Sequence, residues 1–195
     1  IDAEYIARSR AIHFSEAMLR RGSSRDAMLK ALQISKKHGV KVSYDPNVRP
    51  VLWGDKNEFR EVQRKVLGFT NIFLSTAHEL MLITDTKSME RAIEIIMELG
   101  PSILVIRHRD YYRVMTANLD FQAPIFEVKA VDTSGAGDAF DAGFLTGLLK
   151  KWPLDKAVEL GSAVAALKVM IVGTRKGLPR MEEALEFIKK REAIK

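Results

Sequence analysis

The residues best suited to chemistry lie in one short segment, Val131-Asp132-Thr133-Ser134-Gly135-Ala136-Gly137-Asp138-Ala139-Phe140. Hydrophobic periodicity places it between a strand and an amphipathic helix, where an open α/β sheet forms its ligand crevice. Small residues at 134–137 let backbone N–H groups approach a ligand closely. The helix that begins there presents the positive end of its dipole, which suits an anion such as phosphate. Asp138 adds a first-turn carboxylate beside that anion site, able to accept a proton. A base next to an anion cradle is what phosphoryl transfer to a hydroxyl requires. By spacing alone, Ser-Gly-Ala-Gly-Asp also fits a plain helix N-cap, and both readings stand at this point.

Other chemistries fail simple checks. The dinucleotide fingerprint needs a third glycine at position 140, where Phe140 stands, and no GxxxxGK[ST] run exists in the chain. His78-Glu79 opens like a zinc-protease helix, but Leu82 takes the second histidine position. His13, His38, His78 and His108 share no ligand spacing. With no cysteine, a thiolate nucleophile, a thiolate metal site and a disulfide are all excluded, and nothing points to an oxidising compartment.

Composition narrows the class further. Of 195 residues, 47% are hydrophobic, enough for one sizeable core, and no apolar run reaches the length of a membrane span. The net charge is +6, from 31 basic and 25 acidic residues. The basic residues come in scattered pairs, Arg20-Arg21, Lys36-Lys37, Lys150-Lys151 and Lys189-Lys190, with no aromatics interleaved. That pattern suits solvated helix faces rather than nucleic acid, although a mild positive field helps attract anionic substrates. The opening IDAEYIARSR is not a signal peptide and lacks an initiator Met, so a fragment trimmed upstream is expected. A cytoplasmic protein without nucleic-acid or membrane partners is expected.

The elements that must position these residues alternate between the two hydrophobic periods. Asp2 starts a short helical stretch, and Ala11 to Phe14 reads as a strand. Ser23-Ser24 are expected to cap a helix that ends at His38-Gly39. Val40 to Tyr44 reads as a buried strand, followed by the turn-rich Asp45-Pro46-Asn47-Val48-Arg49-Pro50. Helices are expected at 57–67, 77–82 and 88–99, with strands at 71–74 and 103–107 and an antiparallel run over 111–116 and 121–128. The last 60 residues read as helices at about 137–150, 154–171 and 181–192. Without a linker or internal repeat, residues 1–195 are expected to form a single unit: α/β, a mainly parallel sheet sandwiched by helices with an antiparallel edge.

The segment Asp132 to Phe140 resembles the C-terminal signature of the ribokinase-like (PfkB-type) carbohydrate kinases. Ser43 to Pro50, with Leu52-Trp53, resembles the DPNxR segment of the fructokinase and 2-keto-3-deoxygluconate kinase branches. Ala163 to Leu167, then Gly173 and Leu178-Pro179, resemble the family's last nucleotide-flanking helix and loop. The resemblance implies ATP-dependent phosphorylation of a sugar or sugar-acid hydroxyl, with Mg2+ and often a monovalent cation, K+. It makes Asp138 the catalytic base and Gly135, Ala136 and Gly137 the anion hole. It places Asp132 and Ser134 near the monovalent cation, Ser162 at the adenine pocket, and Asn47 and Arg49 on the loop that reaches substrate. A guanidinium suits a carboxylate bidentately, so Arg49 is the expected reader of an acid group.

The chain also departs from the pattern. The family's Asn-x-x-Glu reads here as Thr76-x-x-Glu79, keeping only the carboxylate expected near magnesium and phosphates. Arg109 and Tyr112 replace two glycines after the 103–107 strand, and Glu16 stands where glycine is frequent near the sugar. Arg107 and Arg109 are therefore expected to meet nucleotide phosphates themselves. The family's N-terminal half, with its sugar-binding glycines and β-sheet lid, has no counterpart in these residues. The expectation is a C-terminal, nucleotide-binding portion of a sugar-acid kinase, inactive alone, whose whole protein pairs through the lid. The alternatives are a non-catalytic nucleotide- or sugar-binding relative, or a kinase for fructose, ribose or a nucleoside.

Overall fold

The four strands β1 (Ala11–Ser15), β2 (Lys41–Asp45), β3 (Ile72–Thr76) and β4 (Ile103–Arg107) are each followed by a turn that carries the candidate residues. In this computed structural model, which describes residues 1–192, they pair in parallel and in chain order. β5 (Tyr111–Met115) and β6 (Asp120–Pro124) complete a sheet of order β1-β2-β3-β4-β5-β6. Their connections are too short for a parallel crossover, so they form the antiparallel edge. The central strands read as unbroken apolar runs because both faces are covered, whereas β5 alternates buried and half-buried positions.

Backbone proximity groups the chain into two units, 1–109 with 113–121, and 110–112 with 122–195. The sequence, read as one unit, carries no linker to mark this division, which runs through β5 and β6.

The first unit holds α1 (Ala3–Ala7), α2 (Gly22–His38), α3 (Lys56–Leu67), α4 (Ala77–Thr84) and α5 (Met89–Leu99). Asp2, Asp55, Thr76 and Ser88 each cap a helix by accepting a backbone N–H. At α2 the expected serine cap is not used: Arg21 is the N-cap, and Ser23 and Ser24 lie inside the first turn. Gly39, left-handed at φ 69°, closes that helix as the sequence predicts. The core is built on Leu32, Tyr44, Phe73, Leu80, Ile96 and Leu104. Tyr44 stacks on Phe14 at 4.5 Å and gives its hydroxyl proton to Gln63 Oε1 at 2.5 Å. Burial pushes its phenol well above the ordinary value, against the bond to Gln63, and the nearby carboxylates of Glu16, Asp45 and Glu79 push the same way.

The second unit holds α6 (Ala136–Leu149), α7 (Leu154–Val169) and α8 (Met181–Glu192). α6 and α7 approach so closely that a Cβ on Gly143 would lie 2.8 Å from Gly161 Cα and 2.9 Å from Leu160 O. A Cβ on Gly161 would in turn meet the Phe140 ring at 2.9 Å. Small residues are thus a condition of the helix pairing. The run expected over 121–128 ends at Pro124 because the Phe126 N–H leaves the ladder and donates to Ser162 Oγ at 3.2 Å. Among the described residues no helix is long and apolar enough to cross a membrane.

Candidate active site

In the second unit the turn from 131 to 138 is assembled by backbone bonds. Val131 and Asp132 both donate their N–H groups to Val169 O, at 2.7 and 3.0 Å. Asp132 acts as a staple: Oδ1 accepts the Ser134 N–H at 2.9 Å and Oδ2 accepts the Gly173 N–H at 2.8 Å. These bonds hold its carboxyl at about 2, the Gly173 amide contributing most, then the Ser134 amide and hydroxyl, with the Lys168 charge a smaller influence. The Lys168 ammonium donates to Asp132 O at 2.8 Å.

The chain then turns into α6 through Gly135, which is left-handed at φ 76° and has no side chain to cap the helix. Four helices of the first unit have one first-turn amide accepted by a capping side chain. Here no side chain caps the opening turn: the Ala136 N–H is held by Thr133 O at 3.1 Å, and the N–H groups of Gly137 and Asp138 are left as donors for an anion. Asp138 is exposed in that same turn. One continuous segment thus brings together Asp132, Ser134, Gly135, Ala136, Gly137 and Asp138. Ser162 is buried elsewhere in the unit, where its hydroxyl accepts from Phe126 N and lies 3.5 Å from Pro124 O. Expected at an adenine pocket, it is engaged by its own backbone. Tyr112 is stacked on Phe140 at 4.2 Å.

In the first unit the strand ends gather the other candidates. Asp45, at the end of β2, accepts Arg107 Nη2 at 3.0 and 2.9 Å and also the Asn47 N–H at 3.2 Å. Arg107 was expected at a phosphate. Instead it spends its guanidinium on Asp45, because the sheet puts the ends of β2 and β4 on the same side and both side chains are largely buried, 13% and 5% exposed. Glu79 likewise meets protein donors. Oε1 accepts the Val48 N–H at 2.8 Å, and Oε2 accepts the Thr76 N–H and hydroxyl at 2.9 and 2.8 Å. Thr76 and Glu79 together form a capping box at the start of α4, so threonine in place of asparagine has a structural use. Asn47 is exposed at φ 41°, and exposed Arg49 folds its Nη1 back onto Val48 O at 3.0 Å. Arg109 is exposed in the turn after β4 and takes no part in this cluster of bonds.

Two residues matter that the sequence reading did not single out for the site, Asp45 and Lys168, and Glu16, noted there as a departure near the sugar, serves as a brace. Glu16 is fully buried, bonds Arg20 at 3.0 Å and accepts from Trp53 Nε1, while its N–H donates to Pro46 O at 3.2 Å. It thus fixes both ends of the 46–53 loop. The available signal for Lys168 was a lone cation ending the run Ala163 to Leu167 on an otherwise apolar helix face.

Comparison with known proteins gives the lineage. A 5-dehydro-2-deoxygluconokinase of Clostridium perfringens strain 13 is 33% identical over 196 residues, covering 97% of this chain and 58% of its own. One from Shouchella clausii is 28% identical over 187 residues, covering 94% and 57%. The chain thus spans less than two thirds of the length of these curated relatives. Among solved structures, an E. coli protein designated ribokinase II, in complex with ATP and Mg2+, superposes with a TM-score of 0.88 at 26% identity, covering 97% of this chain and 62% of that one. An aminoimidazole riboside kinase from Salmonella enterica, complexed with aminoimidazole riboside and an ATP analogue, gives 0.82 at 28% identity, covering 90% and 61%. The pfkB family carbohydrate kinase model matches residues 1–181, and the chain belongs to that family.

Proposed function

We propose that the protein of which this chain forms part transfers the γ-phosphoryl group of ATP to a hydroxyl of a keto-deoxy sugar acid. The observation that carries this reading is the first turn of α6, which no side chain caps and where the Gly137 and Asp138 amides stand as donors with the Asp138 carboxylate beside them. In this reading the amides of Gly135 and Gly137 stabilise charge on the transferring phosphoryl group, while the Ala136 N–H, expected to join them, is held by Thr133 O. Asp138 accepts the proton of the acceptor hydroxyl as the oxygen attacks phosphorus. Asn47 and Arg49 are the candidates to bind the acceptor, Arg49 pairing with its carboxylate once it leaves its own loop carbonyl.

Mg2+ bound with ATP would neutralise the developing phosphate charge. Among the described residues no group of three or more His, Asp or Glu side chains stands ready to hold a metal ion. That suits an ion carried on nucleotide phosphates; Glu79, the carboxylate expected beside it, has both oxygens on protein donors. Support for a sugar-acid acceptor comes from the relatives named 5-dehydro-2-deoxygluconokinase and from the exposed Arg49.

The test is ADP release by the full-length protein with 5-dehydro-2-deoxygluconate, 2-keto-3-deoxygluconate, fructose, ribose and aminoimidazole riboside. Turnover confined to the two acids supports the reading, and a preference for a neutral sugar overturns it. Arg49→Met is expected to raise KM for the acid about tenfold and to leave a neutral sugar unaffected. Nucleotide binding without turnover on any sugar would instead favour a binding protein.

A further inference from the structure

Lys168 is a buried charge for which the phosphoryl-transfer reading has no use. It ends α7 with 0% of its surface exposed, and a lysine in that position needs compensation for the lost hydration of its ammonium. The compensation comes from one residue. Nζ donates to Asp132 O at 2.8 Å and lies 3.9 Å from Asp132 Oδ2. The rest of Asp132 is engaged as well, Oδ1 by the Ser134 N–H and Oδ2 by the Gly173 N–H. The main chain of Lys168 joins the same assembly, its carbonyl accepting the Ile171 N–H at 3.2 Å where the 171–177 loop departs.

These contacts bear on the monovalent cation that the family resemblance associates with Asp132 and Ser134. Such an ion would take its ligands from oxygens of this turn. Here the Asp132 carbonyl already holds an ammonium and both carboxylate oxygens already hold N–H donors. An added cation would sit beside a buried like charge and compete with the donor that each of these oxygens already holds. The residues do not fit the ion.

We propose that the Lys168 ammonium is the resident cation of this turn, holding Asp132 and with it the start of α6 in place, so that the turn assembles without K+. This goes beyond the kinase reading, and its main readout needs no substrate, so the two can fail separately. Lys168 is a positioning residue, acting on the anion turn through Asp132.

The experiment is a thermal melt of the full-length protein in the chlorides of K+, Na+ and tetramethylammonium at constant ionic strength, with ADP release followed in parallel. The wild type is expected to melt at one temperature in all three and to turn over equally. Lys168→Ala, which removes the charge and leaves room for an ion, should lose about 10 °C in tetramethylammonium and regain part of it as K+ is titrated to saturation. Lys168→Met, which fills the space without charge, should melt low in every salt. A saturable K+-dependent rise in the wild type overturns the proposal, and this measurement decides even if the variants do not fold. So does an alanine variant that is as stable as the wild type without K+, or one that is destabilised and indifferent to K+.

Discussion

The two segments that carry the candidate chemistry are built in opposite ways. The loop from Asp45 to Arg49 is braced by side chains: Arg107 on Asp45, Glu79 on the Val48 amide, and Glu16 with its N–H on Pro46 O. The turn from Asp132 to Asp138 is stapled behind by Asp132 and left open in front, where no side chain caps the first turn of α6. A site for a phosphoryl group needs several donors fixed in one direction, which a helix end supplies without any side chain. A segment that reads one acceptor among many needs particular side chains held at particular places, so it is fixed by bonds that evolution can change one at a time.

Substitutions can break or sharpen that contrast. The largest effect is expected at the open turn. Asp138→Asn should lower kcat about 10²–10⁴-fold while nucleotide affinity stays nearly constant, because the amide keeps the shape and loses the proton acceptor. Steady-state kinetics with calorimetry on the full-length protein checks this, and a near-normal kcat would remove Asp138 from its role.

At the braced loop the effect should fall on stability. Arg107→Met leaves Asp45 buried without its partner and should cost about 3 kcal/mol in denaturant unfolding. Adding Asp45→Asn should recover much of that loss, and additive losses would mean that the pair is not coupled. Gly135→Ala places a side chain at φ 76°, where Thr174 would stand 3.5 Å from the new Cβ, at an expected cost of about 1–2 kcal/mol. Phosphate affinity should weaken with it, and unchanged ADP binding would argue that the turn tolerates other geometries.

The smallest effect concerns acid. The Asp132 carboxyl sits at about 2 in the fold against an ordinary 3.8, so its contribution is present above the ordinary value and is lost as pH falls through the lower one. The protection of the Ser134 and Gly173 amides, relative to their intrinsic exchange at each pH, should therefore fall between about pH 4 and pH 2. Protection that does not change over that range would separate the staple from the charge.

Much of this was legible in the sequence. The signature at 132–138 could be read because its chemistry and its backbone requirement sit in consecutive residues. The parallel strands could be read because burial on both faces makes them apolar runs. What escaped depends on partners far apart in the chain. Arg107 meets Asp45 across 62 positions and Lys168 meets Asp132 across 36, and no local pattern reports such a pairing. The helix cap at Ser23-Ser24 failed because serine caps are favoured by type alone, while the start of α2 was set by the turn of the chain at Gly22, φ 68°. The strand expected to 128 ended early because Ser162, on a helix read correctly, captures the Phe126 amide.

The contact of α6 with α7 has a consequence for timing. With Gly143 against Gly161 and the Phe140 ring pressed on the same glycine, α6 meets its neighbour backbone to backbone, without the flexible side chains that let packed helices slide. Were negative charge to build at the start of α6, as the proposed transfer requires, the helix would have little slack with which to recoil or creep forward. If the proposed transfer takes place here, the dipole would already point at the phosphoryl group before its charge develops, and the energy that water would spend turning towards a new anion would not be spent in each cycle.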